Sequence, residues 1–342
     1  MTQANGEDKT EAPLVTVVIV AYRSGPTLSA CVERLAAQSF RDFELVLVDN
    51  ASPDHEAQAV AQAHPFARLI ENADNLGFAA AMNQGAQAAR GRWLALLNPD
   101  AFPEPDWLEA LLAAAARHPT VRSFTARQLM DDDPGVLDGL GDVMSGPCIP
   151  YRGGYMRPDP GDTPEGYVFS PCGAAMLIDR ALFLALGGFD ETFFCYCEDV
   201  DLGYRLQLAG EPTVVVPKAV IRHVGSASSG GPKSEFAVFH GTRNRFWVLV
   251  KDTPWALLPI VLPLHILAVL VISTRIEGRK QVPVVLKAYR AAFKDIGLAL
   301  AGRRKAQGQR RVSAWTIARA MTWNVQDLRG RRPVIRPIAP SR

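Results

Sequence analysis

Residues 15–49 read VTVVIVAYRSGPTLSACVERLAAQSFRDFELVLVD. Val15–Ala21 is an unbroken apolar, β-branched run, the pattern of a central parallel strand buried on both faces. Ser24-Gly25-Pro26 then turns the chain, and Thr27–Gln38 sets Leu28, Cys31 and Leu35 at helical spacing with Thr27 as N-cap. Phe43–Asp49 is a second strand, closed by the turn chemistry of Asp49-Asn50-Ala51-Ser52. A strand, a helix and a strand in this order form a β-α-β unit, whose strands run parallel.

The alternation continues outward. Glu56–His64 reads as a helix, Ala67–Glu71 as a short strand and Phe78–Arg90 as an Ala-rich helix closed by Gly91. Arg92–Leu97 is a strand stopped by Asn98-Pro99-Asp100, and Trp107–Arg117 is helical. The expected class is therefore α/β, an open and mostly parallel sheet with helices on both faces. Ligands of such sheets gather beyond the carboxyl ends of the strands. Tyr22, Asp49 and Asp100 follow three separate strands there. Asp131–Gly166, rich in Asp, Gly and Pro, reads as a long loop over the site. Val168–Ile178 resumes strand character, Arg180–Leu186 and Glu198–Ala209 are helices, and Thr213–Pro217 and Ala219–His223 are closing strands. Ser226–Lys233, SASSGGPK, reads as a mobile loop. The expected organisation is a disordered N-terminus over 1–13, a catalytic domain over 14–234 and a basic helical extension over 235–342.

At 342 residues, 48% hydrophobic and 21% charged, the chain can bury a core, which excludes disordered and fibrous classes. Five scattered cysteines make neither a disulfide scaffold nor a C-x-x-C pair, which points to a reducing compartment. The net charge of +2 is segregated. Residues 274–342 carry 17 Lys/Arg against 3 Asp/Glu, a balance of +14, and the rest of the chain stands at −12. An acidic body with a basic tail faces an anionic surface, nucleic acid or phospholipid headgroups. The first dozen residues are polar, so no secretory signal is expected there. Trp255–Ser273 is free of charge over 19 residues, but Pro259 and Pro263 are expected to break a regular helix in its first half. A buried hairpin, an interfacial or re-entrant segment and a span all remain open, with the interfacial reading favoured.

Asp100 follows a buried strand, where a carboxylate is costly to leave unpaired. It is either a turn former or a ligand to a hard divalent cation, which takes one or two protein carboxylates and completes its shell with substrate phosphates. Asp49 is either an Asx-turn former or a partner of a base or ribose. Glu198, Asp199 and Asp201 open a helix behind four aromatics. One of them suits the helix dipole, but three together repel, which raises a pKa unless a cation is near and suits a general base. Arg205, four residues beyond Asp201, reads as an ion-pair partner. His223 ends a strand and is either structural or a metal or phosphate contact.

Five stretches carry a resemblance: VTVVIVAYRSGPTLSACVERLAAQSF, ELVLVDNASPD, ENADNLGFAAAMNQGAQAARGRWLALLNPDAF, CGAAMLIDRALFLALGGFDETFFCYCEDVDLGYRLQLAG and RHVGS. In order, from Val15 to Lys251, they resemble the inverting family-2 glycosyltransferases, above all the rhamnosyltransferase-like bacterial branch. That resemblance implies a GT-A-type, Rossmann-like fold. It implies that Ala21, Tyr22, Arg23, Asp49 and Asn50 meet the nucleotide, that Asn75, Gly77, Phe78 and Asn83 line the sugar-nucleotide pocket, and that Asn98, Pro99 and Asp100 stand where the family has its D-x-D metal motif. It further implies that Gly173, Ala174 and Glu198 lie on the acceptor side, that Asp199, with Glu198 beside it, is the catalytic base, and that His223 joins Asp100 on Mg²⁺ or Mn²⁺. Asn98 departs from the motif, being a neutral ligand where the family has an acid. The expected donor is dTDP-rhamnose or a UDP-hexose. The expected acceptor is lipid-linked or a polysaccharide, reached from the cytoplasmic face of a bacterial inner membrane by a peripheral enzyme resting on anionic lipid. No nucleic-acid partner is expected, and an oligomer is left open. The rival reading is a catalytically silent nucleotide-sugar binding protein.

Overall fold

The computed structural model describes residues 12–225, 231, 234–272 and 279–338. The expectations for residues 1–11, for most of Ser226–Lys233 and for Ser273 lie outside the described residues. In chain order the first half runs β1 (Val15–Ala21), α1 (Pro26–Ala36), β2 (Phe43–Asp49), α2 (Glu56–Ala63), β3 (Ala67–Glu71), α3 (Phe78–Ala88), β4 (Trp93–Leu97), β5 (Ala101–Pro103) and α4 (Trp107–Arg117). Next come β6 (Ser123–Met130), β7 (Val136–Gly139), β8 (Asp142–Met144), β9 (Pro150–Arg152), β10 (Arg157–Pro158), β11 (Gly166–Val168) and β12 (Ala175–Asp179). They are followed by α5 (Arg180–Leu186), α6 (Glu198–Ala209) and β13 (Thr213–His223). The C-terminal helices are α7 (Glu235–Asp252), α8 (Leu258–Val271), α9 (Val282–Lys294), α10 (Ile296–Gly308), α11 (Ala314–Ala320) and α12 (Val325–Gly330).

The centre of the sheet is the parallel block β3-β2-β1-β4. It continues through β12, antiparallel to β4, and β6, antiparallel to β12. Every residue of β1 is buried, because its alternate side chains enter two different cores. Val15, Val17 and Ile19 pack with Leu28, Leu35, Trp107 and Leu111 of α1 and α4. Val18 and Val20 pack with Met82, Phe183, Leu202 and Leu206 of α3, α5 and α6. The helices thus cover both faces.

Several local readings differ from the structure. Asp131–Gly166 is not a loop: β7 and β10 extend the sheet, and β8 and β9 form a separate hairpin. Strands this short, divided by glycines, leave no alternation long enough to read. Val168–Ile178 is broken by Phe169–Ala174, and the two closing strands are one strand with a register shift between Val216 and Val220. The N-cap of α1 is Gly25, while Thr27 Oγ1 donates back to the Ser24 carbonyl. Pro259 and Pro263 do not break α8. Pro259 sits in its first turn, where no donor is needed, and Pro263 is carried inside the helix.

Helices α7, α9, α10 and α11 do not stand apart from the sheet. Phe246, Trp247, Ala292, Ala299 and Ile317 share a core with Val200, Tyr204 and Leu208 on the outer side of α6. A buried ion cluster reinforces that joint: Lys251 Nζ lies 2.6 Å from Asp201 Oδ1 and 2.5 Å from Asp190 Oδ2, and Arg205 lies 2.7 Å from Asp201.

Candidate active site

A cavity of about 670 Å³ opens at the carboxyl ends of β1 and β4. Its lining includes Tyr22, Asn50, Asn75, Gly77, Phe78, Asn98, Pro99, Asp100 and His223, together with Asp142, Arg152, Cys172, Gly173, Ala174, Glu198 and Asp199. Phe194, Tyr196 and Phe236 form an aromatic margin.

Asp100 and His223 are remote in sequence, and strand pairing brings them together. β5 pairs antiparallel with β13 in a register that opposes Ala101 to His223, and the Asp100 carbonyl accepts the Val224 N–H at 3.1 Å. His223 Nε2 lies 3.2 Å from Asp100 Oδ1, and Nδ1 lies 2.8 Å from Asp138 Oδ2. Asp138 in turn is held by Arg152 at 2.5 Å. Burial works against charge on the imidazole, but the bonds to Asp100 and Asp138 outweigh it and raise His223 to about 9. Asn98 Oδ1 is buried in the same wall and has no hydrogen-bond partner among the described residues. An orphaned amide oxygen, a carboxylate and an imidazole that would give up its Nε2 proton to a cation, its Nδ1–H held by a carboxylate, form a donor set that suits Mg²⁺ or Mn²⁺. The residues present fit such an ion.

Across the cavity, α6 begins with Glu198 and Asp199. Asp199 Oδ2 accepts the Gly173 N–H at 2.9 Å and Oδ1 accepts the Val200 N–H at 2.8 Å. This approach leaves little room at 173, since a Cβ there would lie 3.1 Å from the Asp199 carboxylate and press it aside by a few tenths of an ångström. Glu198 is buried, and its Oε2 has no partner among the described residues. Burial, then the charges of Asp199 and Asp201, raise its pKa to about 8, so at neutral pH Glu198 holds a proton. Asp142 is pushed well above the carboxylate range by burial and by Asp199. Burial likewise raises the Cys172 thiol. Oxygens of Asp142 and Asp199 and the Cys172 sulfur lie within 4.8 Å of one another.

The turn leading into α6 is unusual. Phe194, Tyr196 and Cys197 have φ of 65°, 71° and 66°, a region that costs a non-glycine residue about 1–3 kcal/mol. Gly77 (φ 84°) comes so close to this turn that a Cβ would stand 2.8 Å from the Phe194 carbonyl oxygen.

Not every residue singled out in the sequence lines the cavity. Asp49 is buried with its oxygens taken by the Ser52 N–H (3.0 Å) and Gln58 Nε2 (2.9 Å), which is the turn-forming arrangement. Asn83 fastens a different turn, bonding the Phe189 carbonyl, the Phe189 N–H and Glu191 Oε1. Ala21 and Arg23 also lie outside the lining. Sequence reasoning missed Asp138, Asp142 and Arg152 because it treated their segment as a loop. The one signal was two aspartates four residues apart, too common in turns to stand out. It also missed Phe236, which lies beyond the last recognisable motif.

The family model described as Glycosyl transferase family 2 matches residues 16–177. An N-acetylglucosaminyl-diphospho-decaprenol L-rhamnosyltransferase of Mycobacterium tuberculosis is 33% identical over 259 residues, covering 66% of this chain and 81% of that protein. Among solved structures, the mannosyltransferase PcManGT from Pyrobaculum calidifontis, in complex with GDP-Man and Mn²⁺, superposes with a TM-score of 0.54 at 20% identity, covering 93% of this chain and 88% of that one. S. aureus TarS 1–349 in complex with UDP-GlcNAc gives 0.55 at 14% identity, covering 93% and 92%.

Proposed function

The chain belongs to glycosyl transferase family 2 and is a glycosyltransferase, and from that premise we propose that it moves rhamnose, or another hexose, from a nucleoside diphosphate donor to a hydroxyl of a lipid-linked or polysaccharide acceptor, with inversion, in cell-envelope glycan synthesis. The observation that carries this reading is that Asp199 faces the same cavity as Asn98, Asp100 and His223. The rhamnosyltransferase from M. tuberculosis, which by its name acts on a lipid-linked diphospho-sugar, supports the choice of sugar and acceptor.

Asn98, Asp100 and His223 would hold a divalent cation, which supplies charge neutralisation to the leaving diphosphate when bound. Asp138 accepts a hydrogen bond from the Nδ1–H of His223, which keeps a proton on Nδ1 and leaves Nε2 as the nitrogen that faces Asp100. Asn50 is organised by Asn72, Asn75 and the Leu76 N–H, and keeps that side of the donor wall rigid. At the opposite wall, the acceptor hydroxyl attacks the anomeric carbon from the face away from the diphosphate. A carbon–oxygen bond forms to the acceptor, the bond to the phosphate oxygen breaks, and the hydroxyl proton passes to Asp199. Glu198, carrying its own proton at neutral pH, does not compete for that one.

The extension fits an enzyme that meets its acceptor at a membrane. No helix of the described residues is long and apolar enough to cross a bilayer. The 14 residues of α8 extend about 21 Å, short of the roughly 30 Å hydrocarbon core. Yet Ile260, Ile266, Leu267 and Leu270 of α8 and Leu286 and Phe293 of α9 are exposed, and Lys287, Arg290 and Lys294 stand beside them. An apolar face flanked by cations suits shallow seating in an anionic leaflet.

The test is a thermal-shift panel of nucleotide sugars with and without Mg²⁺ or Mn²⁺, followed by transfer to a short-chain polyprenyl diphosphate sugar. A metal-dependent rise in Tm with dTDP-rhamnose or a UDP-hexose, then turnover, is expected. Binding without turnover on any acceptor would favour the silent binding protein.

A further inference from the structure

The turn Phe193–Cys197 delivers Glu198 and Asp199 to the cavity, and its backbone adopts an unfavourable path. Phe194, at φ 65° and ψ −62°, is the centre of a γ-turn in which the Cys195 N–H donates to the Phe193 carbonyl at 2.8 Å. Tyr196 and Cys197 follow, both left-handed. Such a path persists only where the surroundings over-determine it. Most of the bonds that do so come from α7, outside the nucleotide-binding half of the fold. Asn244, fully buried on α7, directs its Nδ2 at the carbonyls of Phe193 (3.0 Å), Cys195 (2.9 Å) and Tyr196 (2.7 Å). Its orientation is set by Arg243, whose Nε donates to Asn244 Oδ1 at 2.8 Å. Arg243 also donates to the carbonyls of Phe193 (3.0 Å) and Thr192 (3.3 Å). The remaining carbonyl, Phe194, accepts the Ala79 N–H at 3.3 Å. Every carbonyl from Phe193 to Tyr196 is therefore held, three of them by one amide group.

We propose that Asn244, braced by Arg243, is a positioning residue of the transfer reaction: it holds the Phe193–Cys197 turn in its strained path and thereby aims Asp199 at the acceptor hydroxyl. This rests on the reading of Asp199 as the base. It also makes α7, which carries the aromatic Phe236 of the cavity margin and packs on α9 and α10, part of the catalytic unit rather than only a connector to the basic helices.

A competing arrangement would use Asn244 only to glue α7 to the sheet. The two differ in what a substitution moves. Asn244→Ala removes the donor, and Asn244→Asp keeps the size but sets an acceptor against three carbonyls. Both are compared with the full-length wild type by hydrogen exchange, by UDP and dTDP binding with Mn²⁺, and by steady-state transfer. The expected result is faster exchange over residues 193–199 by about tenfold. With it comes a fall in kcat of roughly 10- to 100-fold, at nucleotide affinity within about twofold of wild type. Arg243→Met leaves the buried amide in place and should reproduce the same pattern in weaker form, so the question stays answerable if Asn244 variants do not fold. Unchanged exchange over 193–199, or kcat at the wild-type value in Asn244→Asp, would overturn the proposal. So would an equal loss of nucleotide binding and kcat, which marks global damage. A wild type that transfers no sugar defeats the proposed activity instead, while the exchange data still report on the clamp.

Discussion

Glu198 and Asp199 are adjacent carboxyls at the mouth of one helix, and replacing each by its amide separates their roles. In the folded protein Glu198 is raised from 4.5 to about 8, so ionising it in place costs at most about 5 kcal/mol. Between those values the folded state holds a proton that the unfolded chain has released. Stability therefore falls as pH rises from 4.5 and levels off above about 8. Gln at 198 has no proton to lose, so the stability of Glu198→Gln relative to wild type should grow by about 3 kcal/mol between pH 5.5 and 9. Because the neutral acid and the amide are both uncharged and of nearly the same size, Glu198→Gln should keep transfer at pH 7 within about tenfold of wild type. Asp199→Asn removes the base and should lower kcat by roughly 10²- to 10⁴-fold. Urea unfolding at three pH values, with initial transfer rates of both variants, reads out the pair. A stability difference flat in pH, or an inactive Glu198→Gln beside an active Asp199→Asn, refutes the assignment.

Three further outcomes are expected. Asp100→Ala and His223→Ala should each abolish the Mn²⁺-dependent part of the nucleotide thermal shift while leaving the metal-free Tm shift small; retention of the full Mn²⁺ effect in both would remove them from the donor set. Gly173→Ala, whose Cβ would press on the Asp199 carboxylate, should reduce kcat by about 10²-fold with nucleotide binding preserved, measured by steady-state kinetics beside calorimetry. Ile266→Glu with Leu267→Glu on the exposed face of α8 should release the protein from vesicles rich in phosphatidylglycerol without slowing transfer to a water-soluble acceptor. Flotation of the double variant at the wild-type level would count against that face.

The difference between what was legible and what was not follows the range of the interactions. The strands Val15–Ala21, Phe43–Asp49 and Ala67–Glu71 and the helix Trp107–Arg117 have the same bounds in sequence and structure, because each buries a continuous run or a clear periodic stripe. The i,i+4 pair of Asp201 and Arg205 was likewise readable from spacing and forms at 2.7 Å. Asp138, Asp142 and Arg152 were not readable, because strands of three or four residues carry too little pattern. Nor could spacing reveal that Asp49 and Asn83 satisfy turns of the protein itself.

By itself, the sequence determined the layered α/β order, the carboxylates at the strand and helix ends, and the charge-free apolar segment before a basic tail. Those properties depend on near neighbours along the chain, where periodicity and turn chemistry act. Only the tertiary structure decided that β5 lies against β13 and so puts His223 beside Asp100. It alone also decided that α7 folds back to hold the carbonyls of the turn before Asp199. Both contacts join residues separated by 48 or more positions, and their existence depends on strand register and helix packing, which local preference does not encode.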